Sequence, residues 1–339
     1  MKKFKWIILG FVLLLIGLNI KLIIYGVRQG LGQYKVLTEA QPLDSFLNDH
    51  QYPDSLKLRV KQLKQIKSFA NASYNLPAEG RYNKIFDQQG DDILWVVTAA
   101  ETYQMENYYW WFPLLGKVSY KGFFRLDLAE ELKDELDAAG YDTRLRPVDA
   151  WSTLGWFEDP LLSKMLERSE ARLAEVVFHE LIHDVIYIKD STTFNENLAS
   201  FFGKQITKDY LQSQQVDSTE VVSYLNRIAD QELLYCFMNE WKERLATYYQ
   251  NMEPSLDAKQ KAELKQQQFD QLRVDLQALQ FNDTSYPHFV LEDSLLNNAH
   301  LLAYDRYGGY QRQLQEELSK VYGNDLKEML LAYRDKFGD

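Results

Sequence analysis

The stretch His179-Glu180-Leu181-Ile182-His183 decides how the rest of this chain is interpreted. Two histidines four residues apart on a helix project from the same face, close enough for both rings to bind one metal ion. Neutral imidazole nitrogen is a preferred zinc ligand. The glutamate between them can take a proton from water that the metal activates and pass it to a leaving amine. These five residues therefore predict a catalytic zinc site, with Glu180 as the general base.

A third ligand is expected from Glu196, which opens the stretch ENLAS at residues 196–200. Small side chains follow it three and four positions later, and this spacing allows close approach to the first helix. Two histidines and one glutamate leave a fourth position open for water or substrate, which distinguishes a catalytic zinc site from a closed structural one. We therefore expect one Zn²⁺ per chain, bound by His179, His183 and Glu196.

The alternative is an ordinary amphipathic helix whose histidines are satisfied without a metal. Apolar residues surround the motif on much of the helix circumference, where polar groups without partners are costly. They are Leu173, Val176, Val177, Leu181, Ile182, Val185 and Ile186. The chain has only five histidines, two of them in the motif, so the metal site is the favoured interpretation.

Three residues near the motif are candidates to orient the ligands by hydrogen bonding, as the neighbours of metal-bound histidines usually do. Glu175 lies one helical turn before His179, Asp184 directly follows His183, and Asn195 directly precedes the third ligand. Spacing does not decide which of them has this role.

The chain resembles a bacterial family called predicted aminopeptidases, zinc metallopeptidases of the gluzincin type. The resemblance is carried by five stretches, in the family order: Trp110 to Phe124 (WWFPLLGKVSYKGFF), Trp151 to Leu166 (WSTLGWFEDPLLSKML), Val177 to Ile188, Phe194 to Phe202, and Asn297 to Ala299. Together they span most of the chain from about residue 35. The resemblance implies a peptidase-like fold, peptide substrates and the same metal ligands, but no particular substrate sequence. Relatives often begin like lipoproteins, with a cysteine after a signal sequence, and this chain has none there.

Several residues are candidates to bind the substrate. The stretch QMEN at residues 104–107 is similar to an element of zinc aminopeptidases whose glutamate holds the α-amine of the substrate, which makes Glu106 a candidate amine anchor. An exposed loop carboxylate is the alternative. Tyr120 is a candidate substrate contact in the strand-like stretch KVSYKGFF. Aromatic residues at 108–112 are candidates to line a pocket, although core packing also explains them.

In similar peptidases, a tyrosine or histidine from the C-terminal half stabilises the negative charge that develops on the substrate oxygen. Tyr304, Tyr307 and His300 are the candidates here, with ordinary packing as the alternative.

The pattern along the chain predicts one α+β catalytic domain at residues 35–339, and the resemblance implies that its fold is zincin-like. We expect a helical entry over 40–75, and strands at Ile93–Thr98, Lys117–Phe124 and, more weakly, Thr143–Val148. Leu126 to Ala139 is expected to form a helix that Gly140 ends. The small mixed sheet precedes the metal helices, and the C-terminal half is largely helical. It includes a helical hairpin within 207–279 and a helical stretch over 298–336.

The N-terminus predicts a membrane anchor. Residues 6–26 are nearly continuously apolar and long enough to cross a bilayer, and residues 1–5 carry three lysines. We expect residues 1–5 in the cytoplasm and the catalytic domain on the periplasmic side of a bacterial cell membrane. A cleaved signal peptide is the alternative, but no convincing cleavage site precedes Tyr34.

The composition narrows the function. A formal net charge of −11 argues against nucleic acid as a partner, because phosphate backbones demand clustered cations. The leading prediction is a membrane-anchored zinc aminopeptidase. The alternatives are a noncatalytic envelope protein that binds a peptide or partner on the same scaffold, and a zinc hydrolase of non-peptide amides. The sequence does not indicate an oligomeric state.

Overall fold

The computed structural model describes residues 19–112, 116–148, 158–189, 191–283 and 296–338, with side chains throughout except at 305–308. The predicted stretch Trp151–Leu166 therefore lies partly outside the described residues.

Helices dominate the described part of the chain. They are α1 (Ile20–Glu39), α2 (Leu43–Asn48), α3 (Asp54–Tyr74), α4 (Leu126–Ala138), α5 (Glu170–His183), α6 (Thr192–Ser213), α7 (Ser218–Gln250), α8 (Ala258–Gln277), α9 (Asn298–Gly308), α10 (Gln311–Lys320) and α11 (Leu326–Phe337). The strands are β1 (Gln41–Pro42), β2 (Lys84–Phe86), β3 (Trp95–Ala100), β4 (Trp110–Phe112), β5 (Gly116–Val118), β6 (Lys121–Phe123), β7 (Asp142–Pro147) and β8 (Leu161–Leu162).

The strands form three small sheets. β3 lies between β6 and β7 in an antiparallel sheet, with Val96 opposite both Gly122 and Arg146. A mixed sheet has the order β1-β2-β8, with β8 parallel to β2. β4 and β5 form an antiparallel pair. The predicted α+β class is confirmed.

The prediction of one strand over Lys117–Phe124 is wrong. The chain forms β5 and β6 there, and these two strands belong to different sheets. The break falls at Ser119 and Tyr120, where the chain leaves the partner of β4 and joins the edge of β3. An alternating run of residues predicts extended backbone but does not indicate a change of partner.

The helical predictions differ from the structure mainly at the breaks. The entry at 40–75 is two helices, α2 and α3, separated by a turn that ends at Pro53. The stretch 298–336 is three helices, and the second break contains Gly323 and Asn324 in the left-handed region (φ 55° and 68°). Residues 207–213 complete α6, so the hairpin consists of α7 and α8.

Two apolar clusters support this arrangement. The larger one joins α3, α5 and α6 to the sheet β1-β2-β8. Its aromatic centre includes Phe69 and Tyr210, whose ring centroids are 5.4 Å apart, with the fully buried Phe178 6.1 Å from Phe69. The smaller cluster lies between α7 and α8 and includes Leu301 of α9. The metal motif therefore lies on helices of the larger core.

The predicted membrane anchor lies mostly outside the described residues, which include only 19–26 of it. Ile20 and the residues after it begin α1. None of the described helices combines the length and the apolar character that crossing a bilayer requires.

Candidate metal centre

Helix α5 carries both histidines and is surrounded by apolar neighbours. Its first turn is capped by Ser169, whose hydroxyl accepts a hydrogen bond from the Arg172 backbone N–H (3.4 Å). Its buried apolar residues are Ala171, Leu173, Ala174, Val177, Phe178, Leu181 and Ile182. The helix ends at His183, and Asp184 is its C-terminal cap residue. Burial on most sides leaves the two histidine rings little freedom of position.

Helix α6 brings Glu196 opposite the histidines. The turn before it is held by Asn195, whose side chain accepts from the Ile188 N–H (2.9 Å) and donates to the Ile188 carbonyl (2.7 Å). Further along the helix, Gly203 lies directly against α5: a Cβ atom there would be 3.1 Å from the Glu175 carbonyl oxygen and 3.2 Å from the His179 nitrogen. The glycine therefore permits a close approach of the two helices.

The three predicted ligands converge. One ligand atom from each of His179, His183 and Glu196 lies within 4.8 Å of the others. The two Nε2 atoms are 3.2 Å apart. The Glu196 carboxylate oxygens are 3.4 Å from Nε2 of His179 and 3.8 Å from Nε2 of His183. The structure thus places two imidazoles and one carboxylate around a single point.

These distances fit a metal ion. Zinc binds histidine nitrogen at about 2.0–2.1 Å in tetrahedral geometry, which requires roughly 3.3–3.5 Å between two ligand atoms. The 3.4 Å separation falls within that range, the 3.2 Å separation lies just below it, and the 3.8 Å separation is slightly longer. All three side chains are partly buried, so an ion here would be partly shielded from solvent.

The candidate ligands shift one another's pKa values. Burial raises the pKa of the Glu196 carboxyl, but the hydrogen bonds and charges of His179 and His183 outweigh burial and hold that pKa well below its usual range. Burial lowers the pKa of His179, and the hydrogen bond to Glu196 together with the charge of Glu180 outweighs it, so the net shift is upward. An ionised carboxylate is the form that a metal ligand requires.

The outer ring nitrogens of the two histidines have different surroundings. Nδ1 of His179 is 3.4 Å from the hydroxyl of Ser200. Nδ1 of His183 is buried and has no hydrogen-bond partner among the described residues. Sequence reasoning noted Ser200 only as a small residue; its position four residues after Glu196, on the same helix face, was the available signal.

Glu180 is partly buried and forms no hydrogen bond or ion pair within the described part of the chain. Glu180 lies close enough to the buried Tyr82 to affect its pKa: burial first and the charge of Glu180 second raise the pKa of that phenol well above its usual value. Tyr82 has a left-handed backbone (φ 55°), which is unusual for an aromatic residue. Nothing in the local sequence predicted that Tyr82 lies here.

The three residues expected to orient the ligands have other partners. Glu175 forms an ion pair with Arg227 (2.5 Å). Asp184 accepts hydrogen bonds from Arg81. Asn195 binds the backbone of Ile188 as described above. None of the three hydrogen-bonds a ligand histidine within the described residues, because each is turned toward a group outside the metal cluster.

Helix α9 packs against α6. The backbone N–H of Tyr310, just beyond α9, donates to Oδ1 of Asn197, the residue after Glu196 (3.0 Å). On α9, His300 is buried, and its ring stacks on that of Tyr304 with centroids 5.8 Å apart. The side chain of Tyr307 lies outside the described residues. The structure therefore places α9 next to α6, and the proposed role of these three residues stays a prediction.

The two candidate substrate contacts lie near the sheet. Glu106 is exposed, in the loop after β3. The buried Asn298 holds this loop by donating to the carbonyls of Glu101 (2.8 Å) and Thr102 (3.1 Å). Tyr120 is partly buried between β5 and β6. Within the described part of the chain, no hydrogen bond or ion pair joins Glu106 to a metal ligand.

One family model matches most of this chain. The family model described as "Putative aminopeptidase" matches residues 24–334. Because the match covers nearly the whole chain and includes the metal cluster, the chain belongs to that family. Comparisons with curated proteins and with solved structures find no match.

Proposed function

We propose that this protein is a zinc-dependent aminopeptidase with a zincin-like arrangement of its two metal helices. The convergence of His179, His183 and Glu196 within 4.8 Å carries the proposal. Two imidazoles with one carboxylate suit zinc, and this donor set leaves room for substrate. Membership of the family supports peptides as substrates.

A zinc ion bound there would polarise the carbonyl of the scissile peptide bond and lower the pKa of the attacking water. Glu180 takes the proton from that water as the new carbon–oxygen bond forms. The same carboxyl group then gives the proton to the amine as the carbon–nitrogen bond breaks. Its partly buried position and its lack of a bonded partner within the described residues suit this exchange.

The exopeptidase specificity rests on the family description, with Glu106 proposed to bind the free α-amine of the substrate. Tyr304, Tyr307 and His300 on α9 are the proposed donors to the oxygen that becomes negatively charged. We also propose that residues 6–26 anchor the protein in a bacterial membrane with the catalytic part outside the cytoplasm.

The decisive experiment separates metal binding from hydrolysis. Glu180→Gln should retain about one zinc per chain and lose peptide hydrolysis by about 10²–10⁴-fold, because the ligands remain and the base is removed. Elemental mass spectrometry measures the metal, and release of an N-terminal residue from short peptides measures turnover. Glu243→Gln, at a carboxylate on α7 whose side chain is 76% exposed, is the matched control and should behave as the wild type.

Three outcomes would change the proposal. Equal activity in Glu180→Gln would exclude Glu180 as the base. Wild-type protein that binds no zinc even after supplementation would favour a noncatalytic binding scaffold. Zinc without turnover of any peptide would favour hydrolysis of a different amide.

Glu106→Gln tests the exopeptidase assignment. If the carboxylate binds the α-amine, the variant should show a raised KM for peptides with a free N-terminus and no better activity on N-acetylated peptides. The expected loss in kcat/KM is about tenfold to a hundredfold, the magnitude of one charge-assisted hydrogen bond. Unchanged kinetics on free peptides would exclude Glu106 as the amine anchor.

A further inference from the structure

Arg81 forms a buried ionic cluster next to the metal helix. Its side chain is 7% exposed. Nε donates to Oδ2 of Asp184 (2.8 Å), and a second guanidinium nitrogen donates to the other oxygen of the same carboxylate. The remaining terminal nitrogen donates to Oδ2 of Asp159 (2.9 Å). One planar guanidinium therefore binds the buried carboxylate of Asp159 and, bidentately, the partly buried carboxylate of Asp184.

The first carboxylate lies at the end of α5. Asp184 directly follows His183 and is the C-terminal cap residue of the helix. The last turn of a helix has carbonyl groups without intrahelical partners and is the part that opens most easily. A positively charged group at this C-terminal end also interacts favourably with the helix dipole. Arg81 therefore stabilises the same turn that carries the second ligand histidine.

The second carboxylate connects this turn to the sheet. Asp159 lies just before β8, which runs parallel to β2, and Arg81 itself lies shortly before β2. The guanidinium thus joins the end of α5 to two neighbouring segments of one sheet. This attachment is more rigid than a single surface ion pair.

His183 needs such support more than His179 does. The outer nitrogen of His179 lies beside the Ser200 hydroxyl, but that of His183 has no hydrogen-bond partner among the described residues. Metal-bound histidines are usually oriented by an acceptor at this nitrogen. Since the described residues supply no such acceptor, we argue the direction of the His183 ring from the backbone of the last turn and from packing.

We propose that Arg81 is a positioning residue of the metal centre, which aims Nε2 of His183 at the ion by fixing the last turn of α5 through Asp184. This role rests on the proposed zinc-binding function. Arg81 touches neither the ligands nor the substrate in this scheme, so it acts through the backbone of the helix that it holds.

The test compares Arg81→Met, Arg81→Lys and Asp184→Asn with wild-type protein, using the full chain. The control is Arg125→Met, which removes an arginine from a pair whose side chains are 63% and 60% exposed. Zinc affinity is measured by competition with a chromogenic chelator, and thermal unfolding is followed by circular dichroism.

We expect Arg81→Met to weaken zinc binding by about 10–100-fold while one ion still binds at saturation. The zinc affinity of Arg81→Lys should fall between those of wild type and Arg81→Met, since an ammonium group cannot bind a carboxylate bidentately.

A purely structural arginine would give a different result. Folded Arg81→Lys and Asp184→Asn with wild-type zinc affinity would overturn the proposal, even if their melting temperatures were lower. These two variants also decide the matter if Arg81→Met fails to fold.

Hydrogen exchange keeps this test separate from the proposed function. In metal-free protein, the amides of Val185 and Ile186, which bond to the Ile182 carbonyl at 3.1 and 2.9 Å, report on the end of α5. They should exchange about tenfold faster in Arg81→Lys than in wild type, with α8 unchanged. If the wild type bound no zinc, the function would fail while this measurement still decided whether Arg81 fixes the turn. Unchanged exchange at both amides would overturn the positioning role.

Discussion

The metal helices α5 and α6 differ from the hairpin α7–α8 in where their polar groups lie. Both are pairs of helices packed through apolar residues. In the first pair, two histidines and a glutamate point toward one another between the helices. In the second, the shared core is apolar, with Leu234, Met238 and Trp241 of α7 packed with Phe269 and Leu272 of α8.

This difference indicates which helix pair is the expected site of chemistry and which one supports the structure. Partly buried ionisable groups that meet at one point are costly unless they bind something. A core of leucines and aromatic residues needs no ligand to explain it. The first pair is therefore the expected site of chemistry, and the hairpin supports the structure around it.

The largest expected effect comes from removing a ligand. His183→Ala should abolish stoichiometric zinc binding and, with it, peptide hydrolysis, because two donors with water do not hold zinc as tightly as three. Elemental mass spectrometry of the purified variant measures this loss. His50→Ala, at an exposed histidine outside the motif, is the control and should retain the metal. Full zinc occupancy in His183→Ala would remove the distinction between the two helix pairs.

The hairpin should respond in stability and not in metal content. Leu272 is fully buried, so Leu272→Ala should lower the free energy of unfolding by about 2–5 kcal/mol through lost contacts and a cavity. Urea unfolding measures the change. Val274→Ala, at a side chain 59% exposed on the same helix, should cost less than about 0.5 kcal/mol. A parallel loss of zinc affinity in folded Leu272→Ala would show that the hairpin also shapes the metal centre.

The smallest effect is expected at Ser200. Ser200→Ala removes the hydroxyl beside Nδ1 of His179 and should weaken zinc binding by about tenfold or less, since the 3.4 Å contact is long for a strong hydrogen bond. Chelator competition measures the affinity. Ser213→Ala, at the exposed end of the same helix, is the control. Identical affinities in the two variants would mean that packing alone orients His179.

The convergence of the three candidate ligands was predictable because each of them carries a local signal. The histidines are four residues apart, and Glu196 opens a stretch with small residues at helical spacing. The structure brings all three together. The α+β class was predictable for the same reason, since strands and helices leave different short-range patterns.

Contacts between distant segments were not predictable. Arg81 binds Asp184 across 103 positions in the chain, and no periodicity links them. The same limit explains why the prediction of a single strand over Lys117–Phe124 is wrong. The residues there favour extended backbone, but the change of sheet depends on the partner strands. Asp184 was expected to contact a ligand histidine because it directly follows His183, whereas in the structure it accepts hydrogen bonds from Arg81.

The close contact at Gly203 has a consequence for tolerance to substitution. This glycine lies seven residues, or about 10 Å, beyond Glu196 on the same face of α6. A methyl group there would meet the backbone of α5 at 3.1–3.2 Å and would displace it by a few tenths of an ångström. Metal–ligand bonds tolerate errors of only about 0.2 Å. Gly203→Ala would therefore push α5 and α6 apart, although this position touches neither the ion nor the substrate. The distances from the ligand atoms to the ion would then no longer fit.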